Sequence, residues 1–132
     1  MDLSTFTTRL DEMLETDTYS DVDASANGLQ VGPPEAEFEH AAFAVDAAEA
    51  TIEAAAEAEA DVLVCHHGLS WGGIERITDR QHGRIAPLIK NDIALYVSHL
   101  PLDGHQELGN AAGVADLLGL DETAPFGSMG PV

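Results

Sequence analysis

Positive charge is scarce in this sequence: 5 Lys and Arg stand against 24 Asp and Glu, for a formal net charge of -19. No basic patch can form on such a surface, which excludes nucleic-acid binding through phosphate contacts. Cysteine is nearly absent too. Cys65 stands alone, so no internal disulfide can form, and the chain suits a reducing, cytoplasmic compartment. There is no apolar run of about 18 residues, the length a membrane-spanning helix needs. The opening Met1-Asp2-Leu3-Ser4 lacks the basic and apolar regions of a signal peptide. Gly68, Gly72 and Gly73 are not followed by the Gly-Lys-Ser/Thr of a phosphate loop. No internal repeat or low-complexity linker occurs.

What remains is a chain of 132 residues with 45% hydrophobic content, which predicts one globular domain. Its acids are spread through periodic, apolar segments. They could form an acidic interaction surface or tail, or mark adaptation to concentrated salt, and their spread favours the second. Molar salt shortens the Debye length to about 3 Å, so dense like charges repel far less. A halophilic source is therefore expected, with stability that rises as KCl is added.

Apolar residues at helical spacing, Leu3, Phe6, Leu10, Met13 and Leu14, predict a helix over 3–14. Residues 15–27 are polar and turn-like. Asn27 to Gly32 reads as a turn and a short extended piece, stopped by Pro33-Pro34. His40 to Val45 reads as a strand by composition, with Asp46 as N-cap of an alanine-rich helix over 47–59. Asp46 also sits at a strand end and can line a site; the cap is the favoured reading. Asp61 to Cys65 is a second strand, leading into a glycine-rich loop from His66 to Gly73. A helix over 79–90, weakened by Gly83, and a strand from Ile93 to Val97 follow. A loop over 98–106 then leads to a helix over 107–118, with Gly119 as its C′ residue. This order predicts an α/β fold: a parallel β-α-β-α-β sheet with helices on both faces. Phe126 to Val132 reads as a chain entering another element.

Ligands of open parallel sheets sit beyond the carboxyl ends of the strands. One predicted strand delivers His66 and His67 there. The next delivers Ser98, His99, Asp103 and His105. Adjacent His66 and His67 cannot point the same way from an extended backbone, but they can serve two metals a few ångströms apart, with Asp103 as oxygen ligand. Imidazole plus carboxylate suits a divalent transition metal, Zn, Fe, Mn or Ni. His99 either orients a ligand or ligates directly, and the first reading is favoured. Trp71 packs or shields the site. His40, His82 and His105 read as structural, solvated or loop residues, and Cys65 as a buried strand residue.

Taken together, these stretches resemble the Nif-three-like dinuclear metal centre proteins, also called GTP cyclohydrolase 1 type 2 homologues. The resemblance runs through Asn27-Gly28-Leu29-Gln30-Val31-Gly32, Ala44-Val45-Asp46 and Ala60 to Gly68. It continues in Leu88 to Tyr96, Ser98-His99-Leu100-Pro101-Leu102-Asp103, Gly109-Asn110 and Leu117 to Leu120. It implies metal ligation by His66, His67 and Asp103, two metals per complete site, and a ring-shaped hexamer. It also implies a second half whose His-x-x-x-Glu pair completes the centre. No His or Glu follows position 122 here, so the chain is expected to correspond to the N-terminal half of the pattern and to carry an incomplete site.

The function expected from these features is metal-dependent hydrolysis of a small-molecule substrate. The cyclohydrolase name implies opening of a purine imidazole ring. His99 is the candidate catalytic group, orienting a ligand or moving a proton. The alternative is a non-enzymatic metal-binding, storage or scaffold hexamer with the same ligands.

Overall fold

The computed structural model describes residues 1–127. From Ser128 onward, the expected lead into another element lies outside the described residues. The first helix, α1 (Leu3–Met13), starts where Asp2 accepts hydrogen bonds from the Thr5 N–H at 2.7 Å and the Thr5 hydroxyl at 2.8 Å. A 3-10 turn over Thr16–Tyr19 follows. Then come β1 (Gly28–Val31), β2 (Ala41–Asp46), α2 (Glu49–Glu57), β3 (Val62–His67), α3 (Asp79–Lys90), β4 (Ala94–Val97), α4 (Leu100–Gly104) and α5 (Asn110–Leu118).

Among the described residues the strands form one sheet in the order β1-β4-β3-β2. β2, β3 and β4 are parallel, while β1 runs antiparallel along β4 at the edge. Strand alternation divides the core between two faces. Leu63, Cys65, Leu95 and Val97 pack with Ile52 and Ala55 of α2 and Ile85 and Leu88 of α3. On the opposite face Val62 and Ala94 meet Leu3 of α1, with Phe6 and Phe38 beside them. Tyr96, fully buried, sends its hydroxyl to Asp11 of α1 at 2.8 Å. The fold is therefore α/β with helices on both faces, as the element order predicts. No helix among the described residues is long and apolar enough to cross a membrane.

Four local differences from the sequence reading bear on the site. β3 does not stop at Cys65 but runs on through His66 and His67. Asp46 is the last residue of β2, and Ala48, with no side-chain hydrogen bond, takes the N-cap position of α2. The expected loop after β4 contains the short helix α4, with Pro101 in its first turn. The last helix starts at Asn110 and ends, as expected, on Gly119 in the left-handed region at φ 69°.

Candidate metal centre

Parallel register brings the site together. Asp46 lies opposite His67 across the β2–β3 pair, and Cys65 lies opposite Val97 across the β3–β4 pair. The C-terminal ends of these strands are therefore level. The Ser98 N–H donates to the Cys65 carbonyl at 3.0 Å, which carries β4 one residue further and delivers His99 beside His66. At the strand end the alternation of side chains relaxes: the rings of His66 and His67 lie 4.5 Å apart, tilted by 45°. His99 is 5.0 Å from His66 and 5.6 Å from His67, ring centre to ring centre.

All three imidazoles are held in the same way. His66 Nδ1 lies 3.0 Å from the Ser98 carbonyl oxygen. His67 Nδ1 lies 2.6 Å from Asp46 Oδ1, and His99 Nδ1 lies 3.0 Å from Asp23 Oδ1. A carbonyl and two carboxylates can only accept, so each Nδ1 carries the proton and donates. In a neutral ring this leaves Nε2 with a free lone pair. One ring nitrogen from each of the three histidines falls within 4.8 Å of the others, so the group could hold a metal ion.

Asp103, on α4, stands beside this trio. Its Oδ1 accepts from Asn110 Nδ2 at 2.8 Å, and its Oδ2 lies 3.5 Å from His66 Nε2. The structure thus brings His66, His67 and His99 together and sets Asp103 against His66. Trp71 meets the His99 ring edge-on at 4.8 Å while remaining 45% exposed. It covers one side of the centre without closing it. His105 stays out: its Nδ1 accepts from the Glu107 and Leu108 N–H groups and caps a turn. His82 is exposed on α3. Cys65 is buried, and its thiol is pushed up to about 12 by burial and then by Asp46, so it is no nucleophile.

Sequence reasoning missed Asp23 and, of two readings for Asp46, favoured the cap over the site lining that its contact with His67 bears out. The Asp23 side chain is 2% exposed. Beyond His99 it accepts from the Ser25 N–H, Asn27 Nδ2 and the Leu100 N–H. Burial alone would push its carboxyl up; the hydrogen bonds from Asn27, His99, Ser25 and Leu100 outweigh that and hold it below the usual carboxylate range. Asn27 Oδ1 also accepts from the His99 N–H at 2.8 Å. The Asp23-x-Ser25-x-Asn27 spacing does signal a local turn, since Asx side chains bond the backbone two residues on. Nothing local signals its reach to His99. A cavity of about 570 Å³ opens beside Asp103, lined among others by Tyr19, Leu100, His105, Ala112 and Thr123.

Comparison with known proteins adds to this geometry. The family model described as Duf34/NIF3 (NGG1p interacting factor 3) matches residues 1–130. A GTP cyclohydrolase 1 type 2 homolog from Halobacterium salinarum is 55% identical over 127 residues, 96% of this chain and 49% of that protein. One from Archaeoglobus fulgidus is 44% identical, covering 96% of this chain and 51% of that protein. The crystal structure of TTHA1606 from Thermus thermophilus superposes with a TM-score of 0.89 at 39% identity, over 96% of this chain and 51% of that one. Reduced HcgD from Methanocaldococcus jannaschii gives a TM-score of 0.81 at 26% identity, over 95% and 50% of the two chains. The chain thus spans about half the length of the relatives it matches. On the match over nearly its whole length, the chain belongs to the Duf34/NIF3 family.

Proposed function

We propose that this chain carries the N-terminal share of a dinuclear metal centre, with His66, His67 and Asp103 as ligands, in a metal-dependent hydrolase acting on a small molecule. One observation carries the reading. His66 Nδ1 is committed to the Ser98 carbonyl, so its lone-pair nitrogen Nε2 faces Asp103 Oδ2 at 3.5 Å. With a neutral ring these are two acceptors turned toward each other, which repel unless a proton or a metal cation lies between them, and the metal is the reading proposed here. The donor set fits a divalent transition metal: imidazole nitrogens with an oxygen ligand suit Zn, Fe, Mn or Ni. The outer partners fit as well, since metal-bound histidines commonly donate their other N–H to a carboxylate or carbonyl.

When bound, such cations supply Lewis acidity and acidify water for attack at an electrophilic carbon or phosphorus. The protein's part is to hold and orient. Asp46 fixes the His67 ring, the Ser98 carbonyl fixes His66, and Asn110 turns the Asp103 carboxylate toward His66. His99 stands against both histidines, and the cavity beside Asp103 has room for a small-molecule substrate. The relatives' name supports a cyclohydrolase acting on GTP. Their doubled length supports further ligands from the remaining half of the family pattern or another subunit. An assembled, hexameric state agrees with α5, where Val114, Leu117 and Leu118 are exposed. The acidic surface supports a cytoplasm rich in salt.

Turnover of GTP and of model phosphoesters, assayed in molar KCl with each candidate metal, tests the enzyme reading. Activity that disappears in His67→Ala supports it. Tight metal binding without turnover across a broad panel would instead favour the metal-storage or scaffold reading.

A further inference from the structure

The basic residues are few, and they are also gathered. Arg76, Arg80, Arg84 and Lys90 are four of the five in the chain, and all lie in α3 or just ahead of it. Arg80 and Arg84 are neighbours one helical turn apart, the first exposed and the second half-buried. Their guanidiniums repel: burial first, and then Arg80, holds the Arg84 group below its ordinary range, while Glu49 of α2 acts the other way. Yet among the described residues no Arg or Lys forms a salt bridge, and the ion pairs present all use histidine. Asp79, in the same turn, is exposed and pairs with neither arginine.

Arg84 leaves most of its donors free. One terminal nitrogen donates to Gln81 Oε1, while the buried Nε–H has no partner. An orphaned buried donor costs free energy unless an acceptor reaches it. The opening of α3 is uncapped as well: Thr78 at the N-cap makes no side-chain hydrogen bond, so no hydroxyl competes for the positive end of the helix. Gln81 ties the group to the end of β3. Its Nε2 donates to the Leu69 carbonyl at 2.9 Å, in the loop that leaves the strand after His67.

We infer that Arg80 and Arg84, at the opening of α3, form an oxyanion seat for the phosphate of a phosphorylated small molecule, the substrate whose reacting group lies at the strand-end centre. This rests on the hydrolase reading above and narrows its substrate to phosphate-bearing compounds. A phosphate between the two guanidiniums removes their mutual repulsion and gives the free donors of Arg84 an acceptor. Arginine suits the task because its planar fork matches phosphate oxygens in pairs. Such direct, partly buried contacts are screened by salt much less than distant surface charges are. Two guanidiniums cannot track a nucleic-acid backbone, so the exclusion of nucleic acid stands.

The test is calorimetric titration of inorganic pyrophosphate into the whole chain, stripped of metal, in molar KCl. Wild type is compared with Arg80→Gln, Arg84→Gln, Arg84→Lys and Lys90→Gln, each checked for folding by its thermal melt. Affinity should fall more than about 10-fold in each Gln variant of the two arginines. Arg84→Lys, which keeps the charge and loses the fork, should fall in between, and Lys90→Gln should match wild type. No binding by wild type, full binding in Arg80→Gln and Arg84→Gln, or an equal loss in Lys90→Gln overturns the inference. So does a change of oligomeric state in Arg84→Gln with pyrophosphate binding intact, which reassigns the arginines to a contact between copies. The link to the centre is read in the metal-loaded chain with GTP and guanosine as probes. Arg84→Gln should weaken GTP more than about 10-fold at unchanged metal content and leave guanosine unaffected; equal weakening of both overturns the phosphate assignment. Pyrophosphate bound by a chain that takes up no metal removes the centre and leaves the seat, and metal uptake without pyrophosphate binding does the reverse.

Discussion

His67 and Asp46 face each other across two strands in register, and both are substantially exposed. An exposed pair of this kind contributes little to folding, about 0–1 kcal/mol. Its value lies in orienting the ring. Asp46→Ala is therefore expected to leave stability nearly unchanged and to lower metal affinity about 10–100-fold, measured by competition with a chromophoric chelator. Equal affinity in the variant would remove Asp46 from the centre. The buried ionisable groups give a second test. Burial pushes the Cys65 thiol up to about 12, with Asp46 adding to it, and pushes the Tyr96 phenol above its ordinary range, with Asp11 adding to it. Both groups hold their protons more tightly folded than unfolded. Their contribution is complete below the unfolded values, about 8.5 for Cys and 10 for Tyr, and is lost as pH rises above them. Chemical melts between pH 8 and 11 should show falling stability, with a shallower fall in Cys65→Ala. An unchanged slope would contradict the burial argument.

At the scale of elements, two glycines separate tight packing from mere proximity. A Cβ on Gly109 would meet backbone: the His105 carbonyl oxygen, that of Leu102 at 2.7 Å and that of Asp103 at 2.9 Å. Backbone cannot step aside, so Gly109→Ala should cost about 1–3 kcal/mol and draw Asn110 away from Asp103. On α3, a Cβ on Gly83 would meet the carboxylate of Glu49 on α2, the free end of a flexible side chain. Glu49 can swing into solvent, and alanine favours the helix by about 1 kcal/mol, so Gly83→Ala should stabilise. Denaturant melts in molar KCl check both signs. Much of this layout is legible in the sequence. The apolar runs around Val62 and Ala94 announce strands, and the helix expected over 79–90 matches the bounds of α3. α4 is not legible, because five residues around Pro101 carry no periodicity. Asp46 is misread because a strand-ending aspartate and an N-cap share one local signature, and only the β2–β3 register tells them apart. Asp23 is invisible because its partner His99 lies 76 positions away, joined only by tertiary structure.

At the scale of the whole chain the formal charge is -19, and self-repulsion of that density is expected to weaken the fold in dilute buffer. At about 0.1 M salt the Debye length is about 10 Å, long enough for neighbouring carboxylates to repel; at 1 M it is about 3 Å. Thermal midpoints should rise steadily from low to molar KCl. A flat or falling response would remove the salt-adaptation reading. The same screening sets the conditions for the centre, because a chain partly unfolded at low salt would lose the strand-end register that brings His66, His67 and His99 together. The most direct test of the account is metal content. The chain, purified in molar KCl without added histidines, is assayed by elemental mass spectrometry beside His66→Ala and His67→Ala. About one or more transition-metal ions per folded wild-type chain, lost in both variants, is the predicted result. A folded wild-type chain that binds no such ion, or variants that retain it in full, would contradict the metal centre.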